Sequence, residues 1–215
     1  LLPGYDMVSD TDIANDGDAR DPDAADPGDW ITQADIAPGG PLEGCDEGPT
    51  DSSWHGTQVA GVIAAMTDNG IGMASVARTV RVLPVRVIGK CGGFDSDIIA
   101  GMRWAAGLSV PGVPANPTPA RVINMSLGSS GSCSLAYRAA LGELAVAGAV
   151  VVASAGNAAG HAVGRPANCD GVIGVAALRH VGTKVGFSSL GPEVALSAPG
   201  GNCVNIETGS PCLYP

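Results

Sequence analysis

The chain is read as an α/β fold, a three-layer sandwich with a mostly parallel central sheet covered by helices on both faces. Apolar, β-branched runs of strand length recur between residues 80 and 176, and segments of helical spacing separate them. The composition agrees. Apolar residues at 45% against 15% charged are enough for a buried core, and aromatics at only 4% make that core aliphatic. One domain accounts for 215 residues.

Taken in order, residues 1–50 are acidic and loop-like, with one short strand expected within residues 1–8. Carboxylates then crowd around Gly17. Ca²⁺ binds through several hard oxygen ligands in flexible geometry, so Asp12, Asp16, Asp18, Asp21, Asp23 and Asp26 are candidate ligands of a structural Ca²⁺ ion. The EF-hand pattern is not met, because no Glu closes the loop and no helices flank it. A solvated acidic loop is the other reading of the same residues. The apolar run 59–66 reads as a buried helix, in which small Ala60 and Gly61 permit close packing. Beyond it the pattern gives a strand over 80–88, a helix over 97–106, a Pro-rich connection over 111–119 and a strand over 121–126. A helix over 135–147 and strands over 149–154 and 171–176 follow. No internal repeat and no domain-scale linker interrupts the chain. Residues 1–215 are therefore taken as one partial domain, with an acidic front (1–50), an α/β core (51–200) and a cysteine-closed loop (201–215).

A formal charge of −10 argues against nucleic-acid partners and against anionic membrane surfaces. No apolar run reaches the roughly 18 residues of a membrane span, and no signal peptide opens the chain. Six cysteines without a C-x-x-C pair, and three histidines in all, make a zinc site a poor reading. Disulfides formed in an oxidising compartment are the better one, which predicts a secreted protein. Pairing in chain order is the expectation, namely Cys45–Cys91, Cys133–Cys169 and Cys203–Cys212, although the sequence itself allows every other combination.

The chemistry centres on His55, in Ser53-Trp54-His55-Gly56-Thr57-Gln58-Val59-Ala60-Gly61. Imidazole titrates near neutrality and can take and return a proton, although a lone histidine ahead of an apolar helix is most often structural. Parallel α/β sheets carry their sites at the carboxyl ends of strands. Two suggestive words fall there, Ser126-Leu127-Gly128 and Ala155-Gly156-Asn157. Neither the glycine fingerprint of dinucleotide binding nor that of nucleotide triphosphatases occurs.

Six further segments stand in order with the His55 word. They are Asp68-Asn69-Gly70-Ile71-Gly72-Met73, Ser126-Leu127-Gly128, Ala153-Ser154-Ala155-Gly156-Asn157, Arg165-Pro166-Ala167, Phe187-Ser188-Ser189-Leu190-Gly191-Pro192 and Ala195-Leu196-Ser197-Ala198-Pro199-Gly200. Together, over about residues 50–200, they resemble the catalytic domain of the subtilisin-like serine proteases (subtilases). The acidic front and the cysteines resemble secreted bacterial members. The resemblance implies a serine endopeptidase acting on polypeptides, monomeric, and preceded by a propeptide in its parent protein. It implies that His55 is the general base and then the acid, and that Asn157 donates its amide to the tetrahedral oxyanion. Substrate would add as a β-strand along Ser126, Leu127 and Gly128 and along Cys91, Gly92 and Gly93. Ala153, Ser154, Ala155 and Gly156, with Gly164, would wall the pocket for the residue before the scissile bond. Arg165-Pro166 resembles the family's cis-proline turn.

The chain also departs from the family. Acyl transfer needs an orienting carboxylate and a nucleophile, and neither the family's D-[ST]-G word nor its G-T-S-[MF]-[AS]-x-P word is present. Asp10-Thr11-Asp12-Ile13 imitates the first, but no apolar strand precedes it and Asp12 stands where glycine belongs. Thr208-Gly209-Ser210-Pro211 imitates the second, but no helix follows, and Ser210 is read as a loop serine. The expectation is a peptidase domain truncated at both ends and inactive by itself. The alternative is a non-catalytic, Ca²⁺-stabilised pseudoprotease that keeps the groove for binding.

Overall fold

A computed structural model describes residues 1–204 and divides the chain into two compact units, Leu1–Pro119 and Ala120–Pro215. In the first unit, strand β1 (Tyr5–Asp6) is followed by three helices, α1 (Thr11–Ala14), α2 (Gln33–Ile36) and α3 (His55–Ala64). Strand β2 (Val85–Arg86) and helix α4 (Asp95–Ala105) complete it. β1 and β2 pair in parallel, with Tyr5 opposite Val85 and Asp6 opposite Arg86. The contact extends beyond the two short strands. Leu2 N–H donates to Val82 O at 2.8 Å and Met7 N–H to Arg86 O at 2.8 Å. The strand expected over 80–88 is thus confined to its centre as a regular strand. Its partner is only two residues long, and a ladder is no longer than its shorter member.

Helix α4 buries Ile98, Ala100, Met102, Trp104 and Ala105. Gly101 lets it lie directly on the strand, since a Cβ there would come within 2.5 Å of Val87. Tyr5 and Trp104 meet with ring centroids 5.3 Å apart, at the centre of a cluster with Met7, Ala100 and Val110. The Pro-rich connection closes the end of α4, where Asn116 Nδ2 donates to the carbonyls of Trp104 (2.9 Å) and Ala105 (3.3 Å).

Helix α3 departs from expectation. It starts at His55, ahead of the apolar run, and none of its residues is buried. Val62 is 53% exposed, and Met66, just beyond the helix, 75%. The run was read as buried because it is apolar. Burial also requires a facing surface, and the segment 71–77, which lies beside the helix, leaves it only partly covered. A groove of about 510 Å³ remains there, lined by Val62, Met66, Ile71 and Met73 among others.

In the second unit, β3 (Val122–Met125), helix α5 (Leu135–Val146), β4 (Val150–Ser154), β5 (Val172–Leu178) and β6 (Val194–Pro199) follow one another. The strands form a four-stranded, wholly parallel sheet in the order β3-β4-β5-β6. The expected α/β class, with its parallel sheet, is therefore the one adopted. α5 begins at Ser134, whose Oγ accepts the Tyr137 N–H, and it buries Tyr137, Ala140, Leu141 and Leu144, one helical stripe. β6 carries little strand signal, because Val-Ala-Leu-Ser-Ala-Pro has a single β-branched residue and is mostly exposed.

Among the described residues, disulfides join cysteines in chain order, Cys45–Cys91 and Cys133–Cys169, with Cα atoms 6.0 and 5.1 Å apart. The chain-entropy account assigns such loops roughly 3–4 kcal/mol each. Cys212, and with it the expected Cys203–Cys212 pair, lies outside the described residues, as does Ser210. No helix among the described residues is long and apolar enough to cross a membrane.

Asp97, in the first turn of α4 and 1% exposed, accepts from Ser9 N–H and Ser9 Oγ (2.9 Å each) and pairs with Arg20 at 2.5 Å. Removing the carboxylate leaves the partly buried Arg20 without its counter-charge. Asp97→Ala is predicted to lower unfolding free energy by about 3 kcal/mol in urea titrations followed by circular dichroism; a loss under about 1 kcal/mol would refute this account of α4.

Candidate active site

His55 is the first residue of α3. The chain enters the helix through Trp54 in the left-handed conformation (φ 51°), which turns His55 out to solvent. The approach is fixed from below by Asp29. Its carboxylate accepts the Ser53 N–H and Ser53 Oγ at 2.7 Å each, Ser53 Oγ accepts the His55 N–H (3.3 Å), and Gln58 Nε2 donates to Ser53 O (3.0 Å). Partial burial opposes ionisation of Asp29, but the two bonds from Ser53 outweigh it and hold the carboxyl below its ordinary range. Asp29 escapes sequence reasoning because nothing in a run of aspartates marks the one that supports the histidine.

The acidic front folds around Arg86. The guanidinium donates to Asp6 Oδ2 (2.5 Å), to Asp16 Oδ2 (2.7 Å) and to Ala14 O, and lies 3.6 Å from Asp26. Carboxylate oxygens of Asp6, Asp16 and Asp21 lie within 4.8 Å of one another. Of the six aspartates expected as ligands, Asp16 and Asp21 are therefore in this cluster. Asp18 is exposed beside Asp21, whose charge is the main reason its carboxyl is pushed up. Asp12 lies in α1 with its N–H on Asp10, while Asp23 and Asp26 accept the N–H groups of Ala25 and Gly28. Asp6, fully buried, was missed because it sits in a strand-like apolar segment. The signal was Arg86, an equally isolated charge in the apolar run opposite. Burial pushes the Asp6 carboxyl up, against the pull of the Val8 N–H and Arg86. The donor set is all oxygen and carries more negative charge than one arginine balances, so it fits a hard divalent cation.

Cys91, Gly92 and Gly93 form a tight turn in which Gly89 and Gly92 exchange backbone hydrogen bonds at 2.9 and 3.3 Å, with Cys91 (φ 60°) tied to Cys45. In the second unit, β3 runs out into Ser126, Leu127 and Gly128. Ser129 N–H then donates to Arg165 O at 2.9 Å. The backbones touch here, since a Cβ on Gly128 would lie 2.8 Å from Arg165 O and one on Gly164 only 2.2 Å from Ser129 O. The Arg165–Pro166 peptide is cis. β4 carries Ala153 and Ser154 to the sheet edge. Ala155 N–H donates to Val175 O (2.8 Å), and Gly156 (φ 100°) turns the chain so that Asn157 stands exposed. His55 thus belongs to the first unit and Asn157 to the second.

A wholly parallel sheet with a helix between its strands, and loops at the strand ends, defines the α/β class of domains. The chain belongs to the subtilase family, whose sequence profile matches residues 10–214. It is 46% identical over 206 residues to the extracellular protease of Xanthomonas campestris pv. campestris, covering 95% of this chain and 34% of that protein. It is also 46% identical over 211 residues to the extracellular basic protease of Dichelobacter nodosus, covering 97% of this chain and 34% of that protein. A solved protease structure from Pseudoalteromonas arctica superposes with a TM-score of 0.86 at 49% identity, covering 93% of this chain and 57% of that one. The chain therefore spans about a third of the length of these curated relatives.

Because the folded-state value of Asp29 is depressed, its ionised form contributes stability at any pH above the ordinary carboxylate range. That contribution is lost as pH falls through the depressed value. Asp29→Ala is predicted to be less stable than wild type at neutral pH, with a gap that closes on acidification. Chemical denaturation at a series of pH values measures it, and a gap that widens in acid would contradict the assignment.

Proposed function

We propose that this chain is the central part of a secreted, subtilisin-like serine endopeptidase, and that residues 1–215 belong to a single peptidase domain. Membership of the subtilase family, together with extracellular proteases among its relatives, supports this reading most directly. His55 takes the proton of an attacking serine hydroxyl and returns it to the departing amine. Asn157 donates its amide to the oxyanion as the carbonyl carbon becomes tetrahedral. Neither the nucleophile nor the orienting carboxylate is assigned to a residue of this chain.

Polypeptide substrate pairs as an added strand with Ser126, Leu127 and Gly128 and with Cys91, Gly92 and Gly93. The pocket for the residue before the scissile bond is walled by Ala153, Ser154, Ala155, Gly156 and Gly164, all small, so that backbone defines it. A propeptide precedes the mature enzyme, which acts as a monomer. The carboxylates of Asp6, Asp16 and Asp21, with Asp18 beside them, hold a structural Ca²⁺ ion. When bound, that ion neutralises the acidic front and braces it on β1.

In protein expressed from the intact gene, His55→Ala is predicted to lower kcat/KM for peptide substrates by about 10⁴-fold or more. Asn157→Ala should lower kcat by about 10²–10³ with little change in KM, the loss established for the asparagine donor of subtilisin itself. Wild-type protein that binds peptides without hydrolysing them would support the peptide-binding alternative instead. Calorimetric titration with Ca²⁺ should give saturable heat and a raised Tm, both abolished in Asp16→Ala. A titration without heat or Tm shift would remove the metal from the proposal.

A further inference from the structure

The turn that carries Asn157 is held on both sides by one buried residue, on one side by its backbone and on the other by its side chain. Ser189, 1% exposed, donates its N–H to Gly156 O at 2.9 Å, and its Oγ accepts the Ala158 N–H at 3.0 Å. Gly156 and Ala158 are the residues immediately before and after Asn157. A Cβ on Gly156 would lie 3.2 Å from Ser189 Oγ, so the hydroxyl lies close against the backbone it clamps. The next turn is bonded to the same segment, with Ala159 N–H on Phe187 O (2.8 Å) and Gly160 N–H on Ser188 O (2.9 Å).

The segment that carries Ser189 is itself rigidly founded. Ser188, also 1% exposed, accepts the Ala177 N–H of β5 on its Oγ at 3.0 Å. Lys184 Nζ gathers three carbonyls of the segment, donating to Val185 O and Gly186 O at 2.7 Å and to Ser188 O at 3.2 Å. Few geometries satisfy one ammonium and three convergent carbonyls. A continuous set of hydrogen bonds therefore runs from β5 through residues 184–189 to the peptide groups flanking Asn157.

We infer that Ser189 is a positioning residue for oxyanion donation by Asn157. This rests on the reading of Asn157 as the donor. An oxyanion donor works because its direction is fixed before charge develops, and a misplacement of about 1 Å can cost about 100-fold in rate. The Asn157 side chain is exposed, so neighbouring side chains do not fix its direction. The backbone on either side of it does, and Ser189 holds that backbone at both points. Ser189→Ala keeps the packing and the bond to Gly156 but deletes the bond to Ala158, freeing the turn just after Asn157.

The test is a double-mutant cycle in protein expressed from the intact gene, with kcat and KM measured on a chromogenic peptide and Tm alongside. Ser189→Ala is expected to lower kcat about 10-fold with KM within about 2-fold, because the lost alignment matters in the transition state. In an Asn157→Ala background the same change should alter kcat by less than about 2-fold, since no donor remains to be aligned. An equal loss in both backgrounds, or Ser189→Ala at the wild-type rate, overturns the inference and leaves the Asn157 assignment standing. Asn157→Ala at the wild-type rate overturns the donor reading and the inference with it. Should Ser189→Ala not fold, Ser189→Cys, of similar size but a weak acceptor, takes its place in the cycle with the same criteria.

Discussion

The buried pair of Arg86 and Asp6 is the constraint on which the first unit depends. The two charges are register partners across β1 and β2, and Asp6 is wholly removed from water. Burial alone would drive such a carboxylate toward its neutral form, which is the direction its pKa moves. The arginine offsets that cost, and because it carries several donors it also reaches Asp16 and Ala14 O. Two residues of strand pairing could not organise a long acidic loop. One guanidinium placed at the end of that pairing draws the loop back to the strand, and the backbone bridge between Asp6 and Asp21 fixes its return. An apolar pair of the same size would pack as well but would leave Asp16 and Ala14 O unserved.

The second unit solves a similar problem with backbone rather than charge. Its sheet is parallel, so every strand end opens into a loop, and those loops carry the Ser126, Asn157 and Ser189 segments. Each is held by main-chain bonds to a neighbouring stretch of backbone: Ser129 to Arg165, Ala155 to Val175 of β5, Ser189 to Gly156. Contacts this close demand glycine. At Gly128 and Gly164 any side chain would strike a carbonyl, and at Gly156 the positive φ excludes most residues independently of space. The Cys133–Cys169 disulfide ties the stretch leading into α5 to the residues after the cis Arg165–Pro166 peptide.

What could be read from the chain follows from this difference. β3, β4 and β5 are legible because each opens on a β-branched pair, Val122-Ile123, Val150-Val151 and Val172-Ile173, within a largely apolar run. β6 is not, because a half-exposed edge strand need not be β-branched. α3 was legible as a helix but not in its burial, since an apolar run states what a surface could cover and not whether a cover is present. Asp6 and Arg86 were hidden in apolar segments because each is informative only beside the other. His55 and Asn157 were found through motifs rather than through their surroundings. Asp29 and Ser189, which hold them, belong to the commonest residue types of acidic and loop segments, and only their bonds distinguish them.

The support around the two candidate catalytic groups has a common logic. His55 and Asn157 are both exposed, so packing does not orient either of them. In each case the side chain is left open to a reactant while the peptide groups beside it are bound: Ser53, held by Asp29, takes the His55 N–H, and Ser189 takes both flanks of Asn157. A hydroxyl suits the acceptor's part of this task because it is small enough to sit against backbone, and at Ser189 the residue's own N–H supplies the donor. Fixing the main chain rather than the side chain keeps the functional atoms accessible yet limits where they can go. It also places the sensitivity of the site in residues that never touch substrate, and there a methyl or a missing oxygen would be felt as misdirection rather than as lost contact.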